Sequence, residues 1–144
     1  MSYLLDTGFL YALHSVRQRG HAEVRQVVRQ LQGATIFLPT PFAFEVIHLL
    51  RRDLGSRHMA AFIESLAEPI YTLVEPTAEN YRQAAAVVRQ YDDAREYDYT
   101  RIDFVDAILV AIAEALDLRC VLTLDRHHFT LFHPRHCNAF TLLP

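Results

Sequence analysis

The sequence predicts an α/β fold with a mainly parallel sheet, on three observations. Short apolar runs of three to five residues alternate with longer stretches of helical period. The runs are separated by turn residues and helix-length segments rather than by two-residue hairpin turns, so neighbouring strands need crossover connections. One stretch, residues 104–116, is apolar almost all round, as a helix buried on several sides must be. The chain has 144 residues, 51% of them hydrophobic and 22% charged, which suits one domain spanning residues 1–144 with a proper core.

The elements follow in order. Residues 3–5 read as a short buried strand, and Asp6-Thr7-Gly8 turns the chain into a helix running through Leu13. Residues 21–31 give a second helix, rich in Val, Arg and Gln. The next strand, 35–38, is expected to be ended by Pro39 and Pro41. Residues 42–54 have helical period, with Val46, Ile47, Leu49 and Leu50 on one side. Gly55 suits the left-handed stop and Ser56 a cap for the following helix, which carries Met59, Phe62, Ile63 and Leu66. A strand at 70–74 and a helix at 77–91 come next, then a polar, Tyr-rich loop over 92–99. The buried helix 104–116 leads to a strand at 120–124 and a last strand at 140–142. No repeat, low-complexity tract or linker interrupts this order.

Composition narrows the function. The longest apolar stretch, 107–113, is far short of the ~20 residues that span a bilayer. The start, Met-Ser-Tyr-Leu-Leu-Asp, lacks the basic flank of a secretion signal, so a cytoplasmic protein is expected. Two cysteines, Cys120 and Cys137, read as free thiols. All 14 basic residues are arginine, and the net charge is −3. Any polyanion must therefore be held by a local arginine patch and by metal ions, not by bulk charge. The lack of lysine excludes a Walker-type phosphate loop and argues against a receiver-type signalling module.

Four acids stand where apolar segments begin, end or are interrupted: Asp6, Glu45, Asp106 and Asp125. A carboxylate in apolar surroundings is costly unless it is paired or binds a metal. Asp6 and Asp125 directly follow strands, where ligands bind in open parallel sheets. Glu45 and Asp106 lie in the first turns of helices, whose partial positive charge favours an acid. Three of them have an ordinary alternative, while Asp106 is harder to dismiss, because its helix has few polar positions. Asp6 and Asp125 can be N-caps, and Glu45 can pair with His48. Thr100-Arg101-Ile102-Asp103 fits a capping box, so Asp103 is a cap or an outer acid of the site. As a set they are more telling. Two carboxylates ~4 Å apart repel by roughly 4 kcal/mol at an effective dielectric of 20, and an all-oxygen cluster suits Mg²⁺ or Mn²⁺ rather than zinc. Such ions activate water for in-line displacement at phosphorus.

These residues also resemble a known family. Leu4-Leu5-Asp6-Thr7-Gly8-Phe9-Leu10, Thr40-Pro41-Phe42-Ala43-Phe44-Glu45-Val46, Phe104-Val105-Asp106-Ala107-Ile108 and Leu122-Thr123-Leu124-Asp125 are similar, in order and spacing, to the acidic motifs of PIN-domain ribonucleases, and most of all to the VapC-type toxins. The resemblance runs from Tyr3 to about Leu142. It implies a three-layer α/β/α sandwich, Mg²⁺- or Mn²⁺-dependent endonucleolytic cleavage of RNA, a homodimer, and a small antitoxin that blocks the site. It matches Asp6, Glu45, Asp106 and Asp125 to metal-binding catalytic acids, and Thr7 and Thr123 to supporting hydroxyl residues. In that scheme Asp6 and Asp106 hold the principal ion, Glu45 and Asp125 complete the shell or orient water, and cleavage leaves a 5′-phosphate. The acids Asp92, Asp93, Glu96 and Asp98, just before the third motif, depart from easy RNA binding.

Other features carry less. Arg17, Arg51, Arg101 and Arg126, with Arg19 and Arg52, could contact phosphates or simply be solvated. Tyr97 and Tyr99 could stack on bases, though packing of their own loop is the favoured reading. The helical hairpin is dimer surface or plain core. His127-His128 and His133-x-x-His136-Cys137 lack the spacing of a four-ligand zinc site. A PIN-like module that binds RNA or protein without cutting, and a metal-dependent phosphatase, are the rival functions.

Overall fold

Each strand of the sheet is short, and its burial explains its composition. The computed structural model describes residues 1–93 and 102–144. β1 (Ser2–Leu5) lies at the centre of a five-stranded sheet with β2 (Thr35–Pro39), β3 (Thr72–Val74), β4 (Cys120–Leu122) and β5 (Thr141–Leu143), in the order β3-β2-β1-β4-β5. Every pairing is parallel, with Leu4 opposite Phe37 and Leu5 opposite Leu122. Leu4, Leu5, Leu38, Val121 and Leu122 are essentially inaccessible, as expected for strands covered on both faces.

The helices are α1 (Thr7–His14), α2 (His21–Gln30), α3 (Thr40–Leu54), α4 (Ser56–Ser65), α5 (Ala78–Asp93), α6 (Phe104–Ala115) and α7 (Arg126–Thr130). The chain steps β1, β2, β3 in one direction and then returns to place β4 on the other side of β1. Right-handed crossovers therefore put α1 to α4 on one face and α5 and α6 on the opposite face. The packing agrees: α1 meets α2 and α3, α3 meets α4, and α5 meets α6. This is the three-layer α/β/α arrangement. In α6 every residue from Asp106 to Ala113 is buried. Each large apolar side chain so removed from water contributes roughly 1.5–3 kcal/mol.

Local chemistry sets the boundaries, and several differ from expectation. β2 runs through Pro39 and α3 begins at Thr40, because Pro41 falls in the first helical turn, where no N–H is needed. Gly55 does take a positive φ of 87°, its N–H bonding to the carbonyls of Leu50 and Arg51. Ser56 is not a cap; it is the first residue of α4 and its hydroxyl accepts from Arg51. Thr77 and Asn80 form a reciprocal capping pair at the start of α5, at 2.9 and 3.1 Å. Asp103 is a cap, as expected, but as the N-cap of α6 itself, which starts at Phe104, and not as the third residue of a capping box: it accepts from the Asp106 N–H at 2.9 Å. β3 begins at Thr72 and β4 ends at Leu122, two residues later and earlier than expected. The segment after Asp125, to which the sequence assigns no element, holds the short helix α7. Cys120 and Cys137 are free thiols, and among the described residues no helix is long and apolar enough to cross a membrane.

Candidate active site

The strand order reverses direction at β1 and β4, and in open parallel sheets that switch point opens the ligand crevice. Asp6 leaves β1 there. Its N–H continues the sheet ladder to the Leu122 carbonyl at 3.0 Å. One carboxylate oxygen, Oδ1, accepts from the Thr7 N–H at 2.8 Å, capping α1; the other, Oδ2, accepts from the Thr123 hydroxyl at 2.8 Å. Asp6 is buried. Burial raises its carboxyl to about 6, against the opposing pull of those two hydrogen bonds and with help from the nearby charges of Asp125 and Asp103.

Thr123 is fully buried and does two jobs. Besides donating to Asp6, its hydroxyl accepts the Asp125 N–H at 3.0 Å. Its own N–H bonds to the Leu143 carbonyl at 2.9 Å, so β5 fixes it in place. Asp125 caps α7, accepting from the His128 N–H at 3.0 Å, and its side chain is 56% exposed at the mouth. Asp106 enters from α6 and is buried, with its Oδ2 lacking a hydrogen-bond partner among the described residues. Its carboxyl is pushed up by burial first and by Asp103 next, with Asp6 adding repulsion and His128 opposing. Glu45 stands at the exposed rim, on α3. Partial enclosure raises its carboxyl, with the Thr7 hydroxyl lowering it and Asp103 raising it further.

Asp6, Glu45, Asp106 and Asp125 thus border one crevice, with Asp103 as a fifth acid felt by three of them. The cap readings hold as well: Asp6, Asp103 and Asp125 all cap helices. A capped carboxylate still has lone pairs to offer. Glu45 and His48 make no ion pair. As placed, no three acidic, histidine or cysteine side chains among the described residues close on a single point where a metal could be shared. The donor chemistry nevertheless fits a hard divalent cation, since all four acids offer carboxylate oxygen and the buried Asp106 Oδ2 has no hydrogen-bond partner among the described residues.

The arginines fare differently. Arg126 directly follows Asp125 and is exposed, its guanidinium donating to the Pro144 carbonyl. Arg17 is exposed beyond the end of α1. Arg51 lies in the last turn of α3 and bonds to Ser56, some six residues up the helix from Glu45. Arg101, Tyr97, Tyr99 and the acids Glu96 and Asp98 fall outside the described residues, as do the side chains of Asp92 and Asp93. His128 was missed as a member of the crevice. Its Nδ1 stands 3.4 Å from Asp106 Oδ2 and 3.4 Å from Asp125 Oδ2. Its spacing three residues after Asp125 would have revealed it had α7 been recognised as a helix.

Comparison with known proteins places the chain in a family. The PIN domain family matches residues 3–131. Ribonuclease VapC26 of Mycobacterium tuberculosis is 30% identical over 141 residues, covering 98% of this chain and 99% of that protein. The chain belongs to the PIN-domain family, in its VapC ribonuclease branch. Among solved structures, the fold is shared with Mycobacterium tuberculosis VapC20, a sarcin–ricin loop cleaving toxin (TM-score 0.67, 19% identity, 83% of this chain and 86% of that one). It is also shared with VapBC2 of Rickettsia felis bound to a promoter DNA fragment (TM-score 0.70, 12% identity, 99% and 97%). FitAcB of Neisseria gonorrhoeae has it too (TM-score 0.63, 15% identity, 99% and 96%).

Proposed function

We propose that this chain, acting as one domain, is the endoribonuclease toxin of a toxin–antitoxin pair and cleaves RNA phosphodiester bonds with Mg²⁺ or Mn²⁺. The observation that carries the reading is Asp6: a carboxylate buried at the sheet's switch point, held by two donors and crowded by other acids. Membership of the VapC branch supports RNA as the substrate. The VapBC2 and FitAcB structures, which share the fold, support a small antitoxin as a partner, and a homodimer is the assembly we expect.

Asp6, Glu45, Asp106 and Asp125 would hold the cation. When bound, a divalent ion supplies a water made nucleophilic near neutral pH and neutralises charge on the leaving oxygen. The chain's own contribution is positional. The Thr7 N–H and the Thr123 hydroxyl fix both oxygens of Asp6, so its outward lone pairs have one direction. The Asp125 backbone is tied to the same hydroxyl, so the acids after β1 and β4 move as a unit. Glu45, at the exposed rim, would orient water or substrate.

The test is incubation of the purified chain with RNA and with a small phosphate ester, in Mg²⁺, Mn²⁺ or EDTA. RNA cleavage that needs the cation, absent in Asp6→Asn, is the expected result. Cleavage unaffected by EDTA, or hydrolysis of the ester alone, would overturn the reading.

A further inference from the structure

One basic side chain reaches into the acid crevice and has no part in the scheme above. His128 is in α7, whose start is capped by Asp125 through the His128 N–H itself. Its ring Nδ1 is equidistant, at 3.4 Å, from the Oδ2 atoms of Asp106 and Asp125, so those two oxygens are no farther apart than twice that distance. The ring is 16% exposed and lies nearly parallel to Phe132, centroids 6.0 Å apart and planes at 26°. Phe132 is itself buried and packed edge-on by Tyr91 and against Phe129. The other ring nitrogen, Nε2, is buried and has no hydrogen-bond partner among the described residues. A proton on Nε2 would be stranded, whereas one on Nδ1 faces two carboxylates, so the chemistry selects the Nδ1–H tautomer.

We propose that His128 is a positioning residue: its Nδ1–H, clamped by Phe132, draws Asp106 from α6 and Asp125 from the end of β4 toward a common point. This rests on the reading of those acids as the metal centre. Without such a donor, Asp106 Oδ2 is a buried acceptor with nothing to orient it, pushed by Asp103 and Asp6. The 3.4 Å separations are too long for a strong hydrogen bond to either acid. They suit a shared electrostatic contact, one that yields as the carboxylates turn toward a ligand. Outer partners that orient metal ligands are worth about 10- to 100-fold in metal affinity.

The test is calorimetric titration of Mn²⁺ into the full chain, wild type against three variants, with thermal melts to confirm folding. His128→Phe keeps the ring on Phe132 but removes the donor; Mn²⁺ should bind about 10- to 100-fold more weakly. His128→Asn returns an N–H close to the place of Nδ1 and should bind within about threefold of wild type. His128→Leu replaces the Phe variant should that one melt early. In cleavage assays the loss should appear as a higher Mn²⁺ concentration for half-maximal rate, with the rate at saturating Mn²⁺ little changed. Wild-type affinity in the Phe or Leu variant overturns the inference while leaving the metal centre intact, and so does an equal loss in the Asn and Phe variants. Absence of Mn²⁺ binding by the wild type overturns both.

Discussion

The Thr123 hydroxyl donates to Asp6 Oδ2 at 2.8 Å, joining two residues 117 positions apart in the chain. The same oxygen accepts the Asp125 N–H, so one buried hydroxyl couples the acids that follow β1 and β4. Thr123→Val keeps the shape and removes both bonds. It should cost about 1–3 kcal/mol, the penalty of leaving a buried polar partner unsatisfied, and lower RNA cleavage at least tenfold. Thr123→Ser should retain most of both. Urea unfolding and initial rates check this; a Val variant as active as wild type would disprove the coupling.

Asp6→Asn should abolish cleavage without weakening the metal-free fold. The folded-state carboxyl, near 6, lies above its ordinary value of 3.8. The folded protein thus holds a proton that the unfolded chain releases, and stability falls as pH rises from about 4 to 6. Above that window the wild type carries an uncompensated buried charge worth up to about 3 kcal/mol. At pH 8 without divalent ions, Asp6→Asn should be at least as resistant to urea as wild type. Adding Mn²⁺ should raise the melting temperature of the wild type alone.

His14 predicts the opposite trend on the acid side. It packs edge-on against Phe62, meets the Tyr71 hydroxyl at 2.9 Å, and is held by burial first, then by His21, near 4 instead of 6.5. The unfolded chain takes up this proton first as pH falls, so stability present above about 6.5 is lost between there and 4. The contribution is at most ~3 kcal/mol. Measured as the difference from wild type, His14→Phe should flatten the stability profile over that window. An unchanged slope would remove His14 as its source.

Glu114 gathers the segment leading to β5. Its side chain, 8% exposed, accepts from the Arg135 N–H, Nε and a terminal nitrogen at 2.8–3.0 Å, with Gln83 at 3.3 Å. Glu114→Ala should destabilise by only about 1–2 kcal/mol, since the Arg135 guanidinium is 70% exposed and is rehydrated, while the Arg135 backbone N–H loses its acceptor. Hydrogen exchange should rise first around Arg135. Protection unchanged there would show that β5 holds the segment unaided.

The sheet and the strand-end acids were legible because the cause is local: a short apolar run followed by Asp leaves few other roles for Asp6 and Asp125. Lengths were less so. Residues 120–124 read as one apolar run, yet β4 spans only Cys120–Leu122, with the Thr123 N–H making one further bond to the Leu143 carbonyl. Asp103 was legible as a cap, but only the observed bond from the Asp106 N–H shows that it is the N-cap of α6 and not the third residue of a capping box. His128 escaped notice for a different reason. A five-residue helix is too short to show a period, so the local spacing to Asp125 went unread, and the other partner, Asp106, comes from α6, a contact that no local pattern encodes.

The sheet's connectivity also bears on how such a protein is made. Two strands far apart in sequence, β1 and β4, are side by side in space, with Asp6 emerging from the ribosome long before Thr123. A nascent chain therefore carries its first acid without the hydroxyl that steadies it. Until the last fifth of the polypeptide has been synthesised and docked, the machinery producing it is not exposed to a finished cutting centre.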